Sequence, residues 1–159
     1  MKQEHKHIGD YRPNVCAVIL HPMRDDAVLL CHRKDFLMEQ GWQFPQGGYD
    51  EDKDLIEEMK RELREEISTD AVEVLQMSAE EYFYAFPSSS HPKRDRYLGQ
   101  RQRWVLCRFV GQESDISVET KVPEFDEWKW ASPHEAARSI VEFKKTNYYA
   151  ALREFGLIE

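Results

Sequence analysis

The sequence has few cysteines, and none is placed to form a disulfide framework or a zinc site. Its 159 residues contain three, Cys16, Cys31 and Cys107, with no Cys-x-x-Cys pair. Each lies in an apolar run, which is typical of a buried free thiol rather than of a secreted, disulfide-bonded domain. The sequence therefore predicts free thiols and a reducing compartment, the cytoplasm.

Long apolar runs and an apolar leader are missing too. The longest apolar stretches have about six residues, far fewer than the roughly 20 that a membrane-spanning helix needs, so no membrane contact is expected. The amino-terminal MKQEHKHIGD lacks the apolar core of a signal peptide. We expect residues 1–9 to form a flexible tail.

An excess of positive charge is also absent. The chain has 22 Lys and Arg against 30 Asp and Glu, for a net charge of −8, which argues against a general nucleic-acid binder. A phosphate substrate stays compatible with this charge if a divalent cation reverses the local sign. The 41% hydrophobic content is enough for a core, and the length predicts a single domain over residues 1–159.

Strand-like and helix-like segments are interspersed without regular alternation. We predict strands at 14–21, 27–33, 72–77, 81–86, 102–110 and 125–132, and a short extended piece in GWQFPQGG. Helices are predicted at 54–67, from Ser132 onward and at 147–155, with Asp54 and Ser132 as N-caps. This order predicts an α/β fold in which helices pack on a mixed sheet.

The helix predicted at 54–67 gathers carboxylates on one side. Four of them fall within an arc of about 100°: Glu58, Glu62, Glu65 and Glu66. Like charges four residues apart cost a few tenths of a kcal/mol per pair, and a solvated acidic face is one interpretation. The other is a Mg²⁺ or Mn²⁺ site, because these ions need hard oxygen ligands and Gly47-Gly48 lets backbone carbonyls approach the helix start.

This stretch, GGYDEDKDLIEEMKRELREEIST, resembles the Nudix box, whose pattern is G-x5-E-x7-R-E-U-x-E-E-x-G-U with U apolar. Gly47 aligns with the leading glycine, and residues 61–66 match the core. Three positions depart from the pattern: Lys53 for glutamate, Ser68 for glycine and Thr69 for an apolar residue.

The first departure concerns Arg61, because in the family the missing acid pairs with the box arginine. Glu57 or Asp54 is expected to take that role, and Glu57 is also a favourable i,i+4 partner. Ser68 is expected only to weaken the helix stop.

Beyond the box, the sequence is similar to bacterial RNA pyrophosphohydrolases, close kin of the dinucleoside polyphosphate hydrolases. Five segments recur in the same order: YRPNV, WQFPQGG, GQRQRW, PEFDEWKW and VEFKK. The resemblance implies the Nudix α/β/α sandwich, dependence on a divalent metal, and hydrolysis within a 5′ polyphosphate.

The resemblance also implies roles for individual residues. Mg²⁺, for which Mn²⁺ can substitute, would be held by Glu62, Glu65, Glu66 and the backbone carbonyl of Gly47. Glu124, in PEF, would be a further ligand or the general base. One of these glutamates deprotonates the attacking water, and the sequence leaves open which.

Among residues that would contact the substrate, the resemblance implies Arg12, Phe143 and Lys144. Arg33, at the end of a predicted strand, is a further candidate for phosphate contact, and Gln46 is a further candidate for substrate binding. The cations would meet phosphate, and Phe143 would stack on the first base, with core packing as the alternative. The basic stretch from Lys93 to Arg103 either guides RNA or is an ordinary polar loop.

The function implied is removal of phosphates from the 5′-triphosphate end of RNA, which leaves a monophosphate and exposes the transcript to decay. The alternatives are hydrolysis of dinucleoside polyphosphates and, in a different class, a Nudix module that binds nucleotides without cleaving them. Both a monomer and a homodimer are compatible with the sequence.

Overall fold

The computed structural model describes residues 7–36, 41–87 and 96–159, and this part of the chain forms one sheet with three α-helices. The strands are β1 (Tyr11–Leu20), β2 (Val28–Arg33), β3 (Trp42–Gln43), β4 (Gln46–Gly48), β5 (Val72–Met77), β6 (Tyr82–Ala85), β7 (Gly99–Phe109) and β8 (Phe125–Ala131). The helices are α1 (Leu55–Ile67), α2 (Pro133–Ser139) and α3 (Lys145–Glu154). Short 3-10 helices lie at Ile8–Asp10, Glu113–Asp115 and Glu142–Lys144. The predicted strands and helices are all present, with ends that differ by a few residues.

The sheet is mixed, as predicted. Its main order is β3-β2-β1-β7-β5, with β4 on β1, β6 on β7 and β8 on β2. β1 and β7 run parallel over their whole shared length, from Tyr11 beside Gly99 to Leu20 beside Arg108, and the other pairs are antiparallel. Because β1 pairs with β2 at its end and with β4 at its start, the WQFPQGG segment lies against the central strand.

Core packing on both faces of this sheet explains the continuous apolar run of β1. Cys16, Val18 and Leu20 belong to one buried cluster, which includes side chains of α2 and α3. The alternate residues, among them Val15 and Ile19, belong to a second cluster with the buried stripe of α1. The chain is therefore a three-layer α/β/α sandwich.

Local signals define both ends of α1. The Asp54 carboxylate accepts a hydrogen bond from the backbone N–H of Glu57 at 3.0 Å, so the predicted N-cap is confirmed. At the other end Ser68 adopts a left-handed conformation with φ 72°, where glycine would carry no steric cost. Its hydroxyl donates to the carbonyl of Ser117 at 2.8 Å. The helix thus stops at Ile67 despite the missing glycine.

Three further expectations have outcomes in the structure. All three cysteines are buried and free, as predicted. Residues 1–6 of the expected tail lie outside the described residues, and Ile8 and Gly9 belong to a 3-10 turn rather than to a tail. None of the described helices is long and apolar enough to cross a membrane.

Candidate active site

A cavity of about 200 Å³ opens between β4, the second half of α1 and the segment after α2. Its lining contains every residue predicted for the site except Glu65, and four more: Arg12, Arg33, Gln46, Gly47, Gly48, Glu62, Glu66, Tyr84, Phe86, Gln100, Glu124, Phe143 and Lys144. Residues from eight separate segments of the chain thus share one cavity. Its carboxylates come from α1 and from the residue before β8, while its cations and aromatic rings come from the other segments.

Gly47 allows α1 to lie close to β4. A Cβ atom built on Gly47 would lie 2.0 Å from Oε1 of Glu62, so no larger residue fits without moving that carboxylate. β4 is fixed in turn by its pairing with β1, where Val15 faces Gly47. The leading glycine of the box is therefore required by a close approach of side chain to backbone.

A buried polar chain supports the neighbouring Gln46. The Asn14 amide donates to Oε1 of Gln46 at 2.6 Å, and Gln102 donates to Oδ1 of Asn14 at 3.0 Å. Asn14 and Gln102 are almost fully buried. Sequence reasoning missed both, although YRPNV and GQRQRW contain them, because their partners are far apart in the chain.

Glu62 is a partly buried carboxylate and Glu66 a buried one, and the pKa of each is raised. Burial raises the pKa of Glu62 to about 7; Arg61 offsets part of this effect, and the charges of Glu65 and Glu124 add to it. Burial, followed by the charges of Glu62 and Glu124, raises the pKa of Glu66 well above its usual range. Oε1 of Glu66 is buried and has no hydrogen-bond partner among the described residues.

These features fit a hard divalent cation. Burying a carboxylate without a partner costs free energy. A cation between such oxygens would supply the missing partner and offset their mutual repulsion. No three acidic, thiol or imidazole side chains within the described residues already form a closed set of ligands. Carboxylates repel one another when no cation is bound, so they are not expected to converge fully. The case for a cation site therefore rests on the oxygen donors and on the unpartnered Oε1 of Glu66.

Glu65 departs from the predicted arrangement. Its carboxylate accepts hydrogen bonds from Arg61 at 3.2 and 3.3 Å, and its side chain is 58% exposed. It lines a neighbouring cavity of about 660 Å³, which Glu62, Glu66 and Glu124 also border. Glu62, Glu66 and Glu124 thus border both cavities, with Glu65 in one and the predicted phosphate-contact residues in the other.

The expected partners of Arg61 were wrong. Arg61 bonds to Glu58 at 3.3 Å and approaches the carbonyl of Gly48 at 3.4 Å, while Glu58 also accepts from the backbone N–H of Asp50 at 3.1 Å. Its bond to Arg61 lowers the pKa of Glu58. Glu58 is thus a structural partner that ties α1 to the preceding turn, and Arg61 lies among the glutamates of the helix.

Cations and aromatic rings form the other end of the cavity. The Arg12 guanidinium packs against Gly48, where a Cβ would lie 2.2 Å from Nη2. The rings of Phe143 and Tyr84 meet edge to face with centroids 5.5 Å apart, and Nζ of Lys144 is 5.5 Å from the centre of the Tyr84 ring. Phe143 is half-buried and belongs to neither core cluster, which favours contact with a ligand over core packing.

The basic stretch from Lys93 to Arg103 differs from the expectation of a loop. Lys93 and Arg94 lie outside the described residues, and Arg101 and Arg103 belong to β7. Arg101 is buried between Glu51 and Glu81, at 2.5 and 2.8 Å. Arg101, at least, is engaged in internal ion pairs and is not offered to a ligand.

Comparison with known proteins identifies the class. The model of the NUDIX domain matches residues 10–154, so the chain belongs to the Nudix family. The RNA pyrophosphohydrolase of Sphingopyxis alaskensis is 41% identical over 150 residues, which cover 92% of this chain and 93% of that protein. The RNA pyrophosphohydrolase of Wolbachia pipientis subsp. Culex pipiens is 37% identical over 152 residues, 94% of this chain and 91% of that protein.

Solved structures confirm the predicted fold. A C. elegans Ap4A hydrolase in a binary complex superposes with a TM-score of 0.62 at 16% identity, over 90% of this chain and 95% of that one. The E. coli dihydroneopterin triphosphate pyrophosphohydrolase gives a TM-score of 0.64 at 18% identity, over the same shares of the two chains. At these identities the likeness establishes the Nudix α/β/α sandwich alone.

Replacing Gly47 with alanine tests the close approach of Glu62. In Gly47→Ala the new Cβ displaces the Glu62 carboxylate, and we expect Mn²⁺ affinity to fall about 10- to 100-fold, as for lost support of a metal ligand. Electron paramagnetic resonance of free Mn²⁺ measures this. Gly9→Ala is the matched control, because nothing lies within 4 Å of a Cβ at that position; equal affinities in the two variants would contradict the geometry.

The shifted carboxylates predict how stability depends on pH. Glu62 has an ordinary pKa of 4.5 and a folded-state pKa of about 7, so between these values the folded state binds more protons than the unfolded state. The contribution of Glu62 to the stability of the metal-free protein is then full below about pH 4.5 and is lost as the pH rises through about 7. Melting temperatures in chelator should show this fall, and Glu62→Gln should reduce it. A melting temperature that rises over this range in both proteins would be the opposite result.

Proposed function

We propose that the protein is a divalent-metal-dependent RNA pyrophosphohydrolase, which converts the 5′-triphosphate end of RNA to a 5′-monophosphate. One observation carries the proposal: a single cavity joins buried carboxylates at one end to cations and an aromatic pair at the other. A 5′-triphosphate end has the matching order, a polyphosphate chain followed by a nucleoside. The relatives at 37–41% identity that align over more than nine-tenths of this chain are RNA pyrophosphohydrolases.

The metal proposed is Mg²⁺, with Mn²⁺ as a substitute, in keeping with the general use of divalent metals in the Nudix family. Its ligands would be Glu62, Glu65, Glu66, Glu124 and the carbonyl of Gly47. When bound, such an ion neutralises the polyphosphate and lowers the pKa of a coordinated water. To bind the metal, Glu65 would have to give up its hydrogen bonds from Arg61. Arg61 would keep its other partner, Glu58.

The carboxylates also take the proton from the attacking water. The water oxygen forms a new bond to phosphorus, and its proton moves to a glutamate. One P–O bond of the anhydride breaks, and phosphate or pyrophosphate leaves with the electron pair of that bond. A general base must lie within hydrogen-bonding reach of the water it deprotonates, and the carboxylates of Glu62, Glu66 and Glu124 share the cavity in which that water would be held. The charge of Glu62 contributes to the raised pKa of Glu66, and neighbouring carboxylates of this kind share a proton, so the base is assigned to the group and not to one member.

The opposite end of the cavity would hold the nucleoside and its phosphates. The protein is acidic overall, with a net charge of −8, but Arg12, Arg33 and Lys144 place positive charge in the cavity. Gln46 adds an amide. Phe143 would present a ring face to the first base, with the Tyr84 ring packed against it at 5.5 Å between centroids. Base stacking of this kind is tolerant of sequence, which suits an enzyme that accepts many transcripts in the cytoplasm and commits them to decay.

Hydrolysis of dinucleoside polyphosphates is the second candidate, because those substrates contain the same polyphosphate and base. The favouring observation is the same cavity, which does not require a 3′ RNA chain. Non-catalytic binding is a weaker candidate, because a module that only binds has no use for carboxylates whose pKa values are raised by burial and by neighbouring acids, as those of Glu62 and Glu66 are.

The decisive assay follows end-labelled 5′-triphosphate RNA with and without Mg²⁺. The parental protein should release labelled phosphate or pyrophosphate only with the metal, and faster than it cleaves diadenosine tetraphosphate at equal concentration. Glu66→Gln should lose nearly all turnover and still fold, because it keeps the shape of a buried side chain whose Oε1 has no described partner.

Glu57→Gln is the matched control, since Glu57 is on the same helix but exposed. It should retain parental turnover. Full activity in Glu66→Gln would remove the metal site, and faster cleavage of the dinucleotide would favour the second candidate.

Substituting Phe143 tests base stacking. Phe143→Ala and Phe143→Leu both remove the aromatic face, whereas the leucine keeps most of the apolar volume. Both should weaken binding of triphosphate RNA by about 1–3 kcal/mol and leave the melting temperature nearly unchanged. If leucine restores affinity, or alanine lowers the melting temperature by many degrees, Phe143 is a packing residue.

A further inference from the structure

The pairing of β8 with β2 is interrupted close to the site. His32 of β2 faces Glu127, whereas the next residue, Arg33, faces Phe125. Asp126 therefore faces no residue in this ladder, and β8 contains a β-bulge. Such bulges often occur beside active sites, where they redirect a side chain.

The bulge decides which side chain enters the core beneath α1. Trp128 and Trp130 pack on the α1 side of the sheet, so regular alternation would place Asp126 on that side as well. Instead Phe125 is there, 2% exposed, among the apolar side chains that α1 covers. The extra residue thus keeps a carboxylate out of the core.

His32 holds the bulged residue on the opposite side. Its ring is 1% exposed, and Nδ1–H donates to Oδ1 of Asp126 at 2.8 Å. Trp42 meets the ring edge to face at 5.1 Å, and a Cβ on Gly41 would lie 2.7 Å from Nε2. The imidazole is therefore fixed by its surroundings, while the Asp126 side chain is 45% exposed and depends on this bond for its orientation.

Glu124 immediately precedes the bulged segment. Its carbonyl accepts from the backbone N–H of Lys34 at 3.2 Å, one residue beyond the ladder. Its carboxylate borders both cavities that meet at Glu62 and Glu66. Since a shift of one residue turns a strand's side chains to the other face, the direction of Glu124 depends on the bulge.

We propose that His32 and Asp126 are positioning residues, which lock the β-bulge and thereby aim Glu124 at the carboxylates of α1. The inference rests on the function proposed above, in which Glu124 is a metal ligand or the general base. Neither His32 nor Asp126 is among the residues that line the cavity, so the role proposed for them is support of Glu124.

The test combines kinetics with hydrogen exchange. His32→Leu removes the donor but fills the space, and His32→Asn restores a donor near the position of Nδ1. In His32→Leu, Glu124 loses its support, so kcat/KM should fall about 10- to 100-fold and the Mg²⁺ concentration needed for half-maximal activity should rise. In His32→Asn both quantities should return most of the way to their parental values. The Lys34 amide should lose protection from exchange in His32→Leu.

Two further variants keep the test decisive. Asp126→Ala alters the exposed member of the pair and gives the same result if His32→Leu does not fold. Tyr82→Phe is the matched control. It removes the hydrogen bond of 2.5 Å that Tyr82, on β6, donates to Glu154 of α3, and it should lower only the melting temperature.

A double variant distinguishes this inference from the proposed function. If the pair acts through Glu124, then His32→Leu adds no further loss in a Glu124→Gln background. Losses that multiply, or parental kcat/KM and Mg²⁺ dependence in His32→Leu and Asp126→Ala beside an inactive Glu124→Gln, overturn the inference alone. Parental activity in Glu124→Gln overturns the role proposed for Glu124, and the inference with it.

Discussion

Two ionisable carboxylates, the partly buried Glu62 against Gly47 and the buried Glu66 beside it in the cavity, are the constraint around which the site is arranged. Glu62 fits where it does only because Gly47 has no side chain, and Glu66 is buried with one oxygen that has no described partner. Burying such groups costs free energy unless they are protonated or paired, and both have raised pKa values. The fold accepts that cost because α1 is anchored independently, through the apolar stripe of Met59, Leu63 and Ile67 in the core.

The division of charge within the cavity explains how an acidic protein can take a polyanion. The carboxylates repel a phosphate chain by themselves, and a divalent cation reverses that sign locally. Arg12, Arg33 and Lys144 contribute positive charge at the other end. In this arrangement binding depends on the cation as well as on the protein, so the net charge of the chain is a poor guide to its substrate.

Features set by local sequence could be predicted, and features set by long-range pairing could not. The span of α1 follows from the Asp54 cap and the apolar stripe, and the Nudix box and its flanking segments pointed to nearly all residues that share the cavity. The partner of Arg61 was wrong because rotamers, and not spacing alone, decide between Glu57 and Glu58. Tyr84 and Gln100, joined by a hydrogen bond, were missed since strand pairing brings them to the cavity. The bulge at Asp126 could not be predicted, because the alternation of apolar and polar residues along a strand does not show where an extra residue is inserted.

The central claim is that the glutamates of α1 hold a divalent cation beside Gly47. Crystals soaked in Mn²⁺ and measured at the manganese absorption edge test it most directly. The account predicts an anomalous peak in contact with Glu62, Glu66 and the carbonyl of Gly47, and no peak in crystals of Glu66→Gln. Crystals of the parental protein without a peak at this place, under conditions in which it is active, would contradict the account.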